Sequence, residues 1–148
     1  MTEAVQVTAA PASVRAVRWV QTVLLVACLV GSFGLLLSAM TRTGDYAAFF
    51  HPGVERLGDP KDAMTPLGPD TPGNPLLWIF GLGRIVAFFV RPLATAMSVL
   101  GIAFLVPAWR ARDGRAVRTL AAGTGAWLAL GLLAFTPYGA QLLGWLLD

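Results

Sequence analysis

Charged side chains are scarce in this chain. They make up 13% of its 148 residues, while apolar residues make up 56%, against about 25% charged in ordinary soluble domains. A soluble fold of this size leaves much of its surface in water and cannot hide so much apolar side chain. Lipid can take that surface instead. Lysine is nearly absent: Lys61 stands alone, and the other ten basic residues are arginines. With the abundance of Ala, Gly, Leu and Val, this usage suggests GC-rich coding and a bacterial source. Cysteine and histidine occur once each, as Cys28 and His51. A single cysteine excludes an intramolecular disulfide and a thiolate metal cage. A single histidine excludes a haem held by two imidazoles of the same chain. No cofactor fingerprint is visible: Gly81-Leu82-Gly83 lacks the strand-to-helix setting of a phosphate loop, so no cofactor is expected.

What is present is a set of long uncharged runs. Residues 1–18 are expected to form a cytoplasmic tail, disordered over its small and polar first part. Trp19 to Met40 carries no charge and exceeds the ~20 apolar residues that cross a ~30 Å hydrocarbon core; this is the first expected span. Residues 41–75 hold six of the ten prolines and five glycines, and read as a long irregular loop with a short helix near Asp45 to Phe50. Leu76 to Trp109 is mostly apolar, and as one straight helix would be about 51 Å long at ~1.5 Å per residue. Pro92 offers a break. Residues 76–91 are therefore expected as an interfacial or tilted helix, and 92–109 as the second span. Residues 110–118 form a basic loop, 119–136 the third span, and 137–148 an interfacial C-terminal segment beginning at Pro137.

Orientation follows from the arginines, because cytoplasmic loops carry the Lys/Arg excess. Arg15 and Arg18 share a side with Arg110, Arg112, Arg115 and Arg118 if there are three spans. The fold class expected is thus an all-α integral membrane protein, N-terminus in and C-terminus out, in a bacterial inner membrane. A four-span alternative would turn at Arg91 and Pro92. Its arms would be only about 15 and 17 residues, at or below the spanning limit, and it would place the four-arginine loop outside.

Few residues could carry chemistry. Ionisable groups at membrane depth mark function by default, which singles out Arg84 and Arg91 as candidates for an anion, a lipid phosphate or an acidic partner. Seven residues apart, they would share one face of a continuous helix. Geometry supplies the plainer reading: Arg91 lies about 27 Å along a helix from Trp109, where it would reach the outer headgroups. Leu25-Val26-Ala27-Cys28 fits the short pattern of lipoprotein processing, yet Leu29 to Met40 stays apolar, and a buried cysteine is commonly just a small hydrophobe. His51, Glu55 and Asp59 are four apart, as metal ligands on one helix face can be, but Pro52, Gly53 and Gly58 break any continuous helix there; no metal site is assigned. Small residues recur at four-residue spacing: Ala27 and Gly31, Gly34 and Ser38, Ala94 and Ser98, and Ala121, Gly125 and Ala129. In lipid such stripes let helices approach closely.

No span carries Asp, Glu, His or Lys, so no proton relay of the usual kind is expected, and no nucleophile sits beside a base. The arginines flank apolar runs and form no stripe interleaved with aromatics, so nucleic acid is not an expected partner. The expected partners are the bilayer and other membrane subunits, with oligomers allowed. The expectation is a non-catalytic accessory subunit or assembly factor acting through contacts with protein or lipid. Two alternatives remain: an oligomeric small channel or carrier, whose Arg84 and Arg91 would form a ring, and a ligand- or metal-binding protein working through the outer loop.

Overall fold

The computed structural model describes residues 12–67 and 73–148, and all regular structure among them is helical. Three helices are long and apolar enough to cross a membrane: Ala12–Thr43, Val90–Arg110 and Gly114–Ala134. We label the helices α1 (Ala12–Thr43), α2 (Pro75–Phe88), α3 (Val90–Arg110), α4 (Gly114–Ala134) and α5 (Pro137–Leu147).

Helix boundaries follow local chemistry. α1 begins at Ala12, so residues 12–18 of the expected tail are helical, and residues 1–11 lie outside the described residues. It contains no proline and ends at Gly44, whose left-handed backbone (φ 72°) returns its N–H to the Met40 carbonyl. Only glycine takes that conformation without steric cost. Asn74 caps α2 by accepting from the Leu76 N–H, with Pro75 in the first turn, where its missing N–H is no loss. Asp113 caps α4 through the Ala116 N–H at 2.9 Å. Thr136 caps α5 through the Gly139 N–H at 3.1 Å, again with a proline, Pro137, in the first turn.

The break in the 76–109 stretch was expected at Pro92. It falls instead at Phe89, between α2 and α3. A proline is tolerated in the first turn of a helix, whereas its ring clashes with the carbonyl four residues earlier. For Pro92 that carbonyl belongs to Phe88, where α2 ends. The interruption thus sits one turn ahead of the residue that causes it.

α2 and α3 together run antiparallel to α1 along its length. At the loop end, the Phe80 ring lies against Gly34, and Gly83 lies against Ala27 and Gly31. At the basic end, Gln21 reaches Met97, and Val14 packs with Ala108, Ala116 and Leu120. The helix expected over 76–91 therefore lies along the loop-end half of α1. α4 returns antiparallel to α3, with Gly131 against Ala94 and Thr124 against Gly101. α5 folds back sharply, the Gly139 backbone touching the Leu133 carbonyl.

The described part of the 41–75 loop is more ordered than an irregular loop. It contains a 3-10 turn at Tyr46–Phe49, a single helical turn at Val54–Leu57 and a 3-10 segment at Asp62–Leu67. Ala48, Leu57 and Ala63 are fully buried. Three side chains tie the loop's backbone to the bundle. Ser38 donates to the Ala63 carbonyl at 2.6 Å, Arg42 to Leu57 at 2.8 Å, and Trp145 to Gly58 at 2.9 Å. The Arg56 guanidinium also grips the Asp45 carboxylate, at 2.8 and 3.0 Å. Residues 68–72 lie outside the described residues.

Candidate functional site

Arg91 stands in the first turn of α3, one residue before Pro92, where the α2–α3 elbow brings it beside the end of α4. The last carbonyls of a helix have no partner within it. Arg91 supplies one: its Nε and Nη2 donate to the Ala134 carbonyl at 3.2 and 3.0 Å. Its guanidinium also sits 5.2 Å from the centroid of the Phe135 ring. A cation at a helix C-terminus complements the negative end of the helix dipole, and the face of an aromatic ring attracts it further. Only two of the five guanidinium donors are used on Ala134, and side-chain exposure leaves the others free to meet a ligand.

Below Arg91, α3 and α4 diverge around a groove of about 320 Å³. Its walls are apolar, with Val99, Ile102, Leu128 and Leu132 prominent. Besides Arg91, two polar side chains interrupt them, Thr95 and Ser98. Ser98 is 5% exposed, and its hydroxyl has no hydrogen-bond partner. The neighbouring hydroxyls behave otherwise: Thr95 returns a bond to the Arg91 carbonyl and Thr124 to Leu120, the usual local solution for Ser and Thr in a helix.

Arg84 serves a parallel purpose on α2. Its Nε donates to the Leu146 carbonyl in the last turn of α5, and it borders a cavity of about 410 Å³ with Met64, Ile85 and Phe88. The face expected to join Arg84 and Arg91 does not exist as such. The break at Phe89 separates them, and each turns to a different helix end.

The other candidates resolve unequally. Cys28 is 1% exposed in the middle of α1, bordering a small cavity of about 30 Å³ with Ser32, Ala87 and Leu142. Processing there would remove Gln21 and the basic-end half of α1. His51, Glu55 and Asp59 are not brought together: Val54–Leu57 is one turn, and Asp59 pairs with Lys61 at 3.7 Å. Among the described residues no three of His, Cys, Asp and Glu converge. The small-residue stripes divide sharply. Ala27 and Gly31 meet Gly83, Gly34 meets Phe80, Ser38 anchors the loop and Ala94 meets Gly131. Ala121, Gly125 and Ala129 are exposed on α4, and nothing lies within 4 Å of the space a Gly125 side chain would enter.

Gln21 is a residue that attention to charge passes over. It is 2% exposed. Its side-chain amide donates to the Met97 carbonyl at 2.9 Å and to the Thr124 hydroxyl at 3.4 Å, while its backbone carbonyl accepts from the Trp127 indole at 3.2 Å. Gly101 and Gly123 make room for it. One side chain thus joins α1, α3 and α4. The available signal was a lone amide within an otherwise apolar run.

Comparison of the chain with protein-family models, with curated proteins and with solved structures gave no match.

Proposed function

We propose that the chain is an integral protein of a bacterial inner membrane, with its N-terminus and basic loop in the cytoplasm, its Pro-rich loop outside, and a non-catalytic role as accessory subunit or assembly factor. The observation that carries this reading is the uncovered stripe Ala121–Gly125–Ala129. Apart from Ser98 in the α3–α4 groove, the other small-residue positions are consumed in packing within the chain, while this stripe faces outward on an apolar helix. Small residues at that spacing permit close approach of a second helix where lipid offers no hydrophobic driving force. Orientation draws support from the six arginines gathered at Arg15, Arg18 and 110–118, against a loop richer in carboxylates. Arg84 and Arg91 each already donate to a helix-end carbonyl, which favours contacts over an anion-selective ring.

The decisive experiment is purification in mild detergent. The wild-type chain should elute within a larger complex. Gly125→Leu should release it as a folded, monodisperse protein. A wild-type chain that is itself monodisperse and partner-free would remove the basis for this reading. Orientation is checked separately, in a Cys28→Ser background, with single cysteines at Thr65, Gly114 and Asp148 labelled from outside intact cells. Labelling at Thr65 and Asp148 but not Gly114 is expected.

A further inference from the structure

We propose that the groove between α3 and α4 is a binding site for one anionic glycerophospholipid of the outer leaflet, with its phosphate at Arg91, an ester carbonyl at Ser98 and an acyl chain along Val99, Ile102, Leu128 and Leu132. The inference rests on the membrane reading above, and not on the identity of any protein partner.

Three independent features of the groove match three parts of such a lipid. The first is a cation with unused donors at one end. The Arg91 guanidinium is fixed by the Ala134 carbonyl and the Phe135 ring, so its orientation is set before any ligand arrives. Guanidinium offers phosphate oxygens directional, charge-assisted hydrogen bonds. The second is Ser98, whose buried hydroxyl lacks a partner although its neighbours Thr95 and Thr124 have theirs. A hydroxyl withdrawn from water without a hydrogen bond is costly, and a small side-chain rotation toward the groove would let it donate to an acceptor there. Seven residues separate Arg91 and Ser98, about 10 Å along one face of α3. That spacing suits a phosphate followed by the ester carbonyls of its glycerol. The third is the remainder of the groove: about 320 Å³ with almost entirely apolar walls, along which Val99, Ile102 and Leu132 are exposed.

Depth agrees with this placement. α3 and α4 are each 21 residues long, about 31 Å at ~1.5 Å per residue, which matches a hydrocarbon core of ~30 Å. Arg91 lies at one end of that length and Arg110 at the other. The phosphate region of a leaflet and the guanidinium of Arg91 therefore coincide, with Ser98 just inside the hydrocarbon boundary.

The test uses the full chain purified in mild detergent and offered phosphatidylglycerol and phosphatidylcholine in equal amounts, with bound lipid counted by native mass spectrometry. One phosphatidylglycerol per chain should be retained in preference to phosphatidylcholine. Arg91→Gln should weaken its retention about tenfold, and Ser98→Ala about threefold. Because Arg91→Gln also uncaps α4, a second variant guards the result: Ile102→Trp fills the groove from an exposed position and should abolish retention with Arg91 intact. Equal retention of the two lipids, or retention unchanged in both Ser98→Ala and Ile102→Trp, would overturn the proposal. Displacement of phosphatidylglycerol by millimolar inorganic phosphate would overturn it in favour of a small-anion site. A chain recovered from the soluble fraction of cells would overturn the membrane reading itself, whereas a membrane-bound chain without lipid preference would overturn the lipid site alone.

Discussion

The two halves of α1 are held to the bundle by opposite means. In the loop-end half, Gly31 meets Gly83 so closely that a side chain on either would run into the other helix's backbone; no side-chain hydrogen bond is made at that crossing. In the basic-end half, Gln21 lies between the helices, hydrogen-bonded to α3 and α4, with Gly101 and Gly123 leaving room for its side chain. The contrast shows two solutions to the same problem. Where apolar burial gives little net attraction between helices, close backbone packing and polar links must supply it. The first solution is intolerant of volume and the second of lost polarity, so each half should fail under a different substitution.

The largest effect is expected at the glycine crossing. Gly83→Leu places a side chain where the Ala27 carbonyl and the Gly31 backbone already lie, and should cost more than about 3 kcal/mol, beyond ordinary overpacking. Thermal melting in detergent would register the loss. Maleimide labelling of Cys28, shielded by Ala87 in the native chain, should accelerate. Gln21→Leu comes next, at about 1–2 kcal/mol for its two interhelical bonds, and Cys28 should stay protected, since the loop-end half remains docked. If both substitutions exposed Cys28 equally, the two halves would be one cooperative unit and the contrast would collapse. Ser38→Ala removes only the bond to the Ala63 carbonyl, worth about 1 kcal/mol. Its readout is faster proteolysis within residues 43–67 at nearly constant melting temperature. The smallest effect is expected for Ser98→Ala in lipid-free detergent. Deleting an unpartnered buried hydroxyl should leave stability unchanged or raise it by up to about 1 kcal/mol, against the measurable loss expected from every other change.

The three long helices were legible because length and lack of charge suffice to mark them: Trp19–Met40 lies within α1, and the apolar stretches around Pro92–Trp109 and Thr119–Thr136 lie largely within α3 and α4. The position of the α2–α3 break was legible only in part. Pro92 announces an interruption, but its ring acts on the carbonyl at Phe88, and a reader who places the break at the proline itself is one turn late. The order of the 43–67 loop was hidden for a different reason. Its anchors, at Leu57, Gly58 and Ala63, are backbone carbonyls, and every residue has one, so no residue type gives them away. Spacing also identified the small-residue stripes without separating the used from the unused. Ala27–Gly31 and Ala121–Gly125–Ala129 look alike as strings, and only the path of α2 decides that the first is covered.

Within the site, Arg84 and Arg91 are conspicuous as charges among apolar neighbours, and the structure places each on a carbonyl near a helix end, of α5 and of α4. Their separate destinations depended on the break at Phe89. Gln21 stayed unmarked, and Ser98 was marked only as a small packing residue, because a neutral polar side chain in a span is ordinary until its partners, or their absence, are known.

The π-helical turn at Val30–Gly34 gives α1 a property unlike that of a uniform rod. Such a turn holds one residue more than the α-helical ladder needs, so the segment after it is turned by about 100°, one residue's share of a 3.6-residue turn, from where a plain α-helix of the same residues would place it. Gln21 before it is buried against α3 and α4, and Leu35, Leu36 and Ala39 after it are buried in the cluster that includes Leu57 and Ala63 of the loop. Ser32 closes the local gap by donating to the Cys28 carbonyl at 2.7 Å. Deleting a single residue between Val30 and Gly34 would turn the wide turn into a plain α-helical one and leave both faces in place, whereas a deletion elsewhere in α1 would rotate one half against the other by about 100°. The wide turn is therefore the place in α1 where a change of length is absorbed without changing which faces meet.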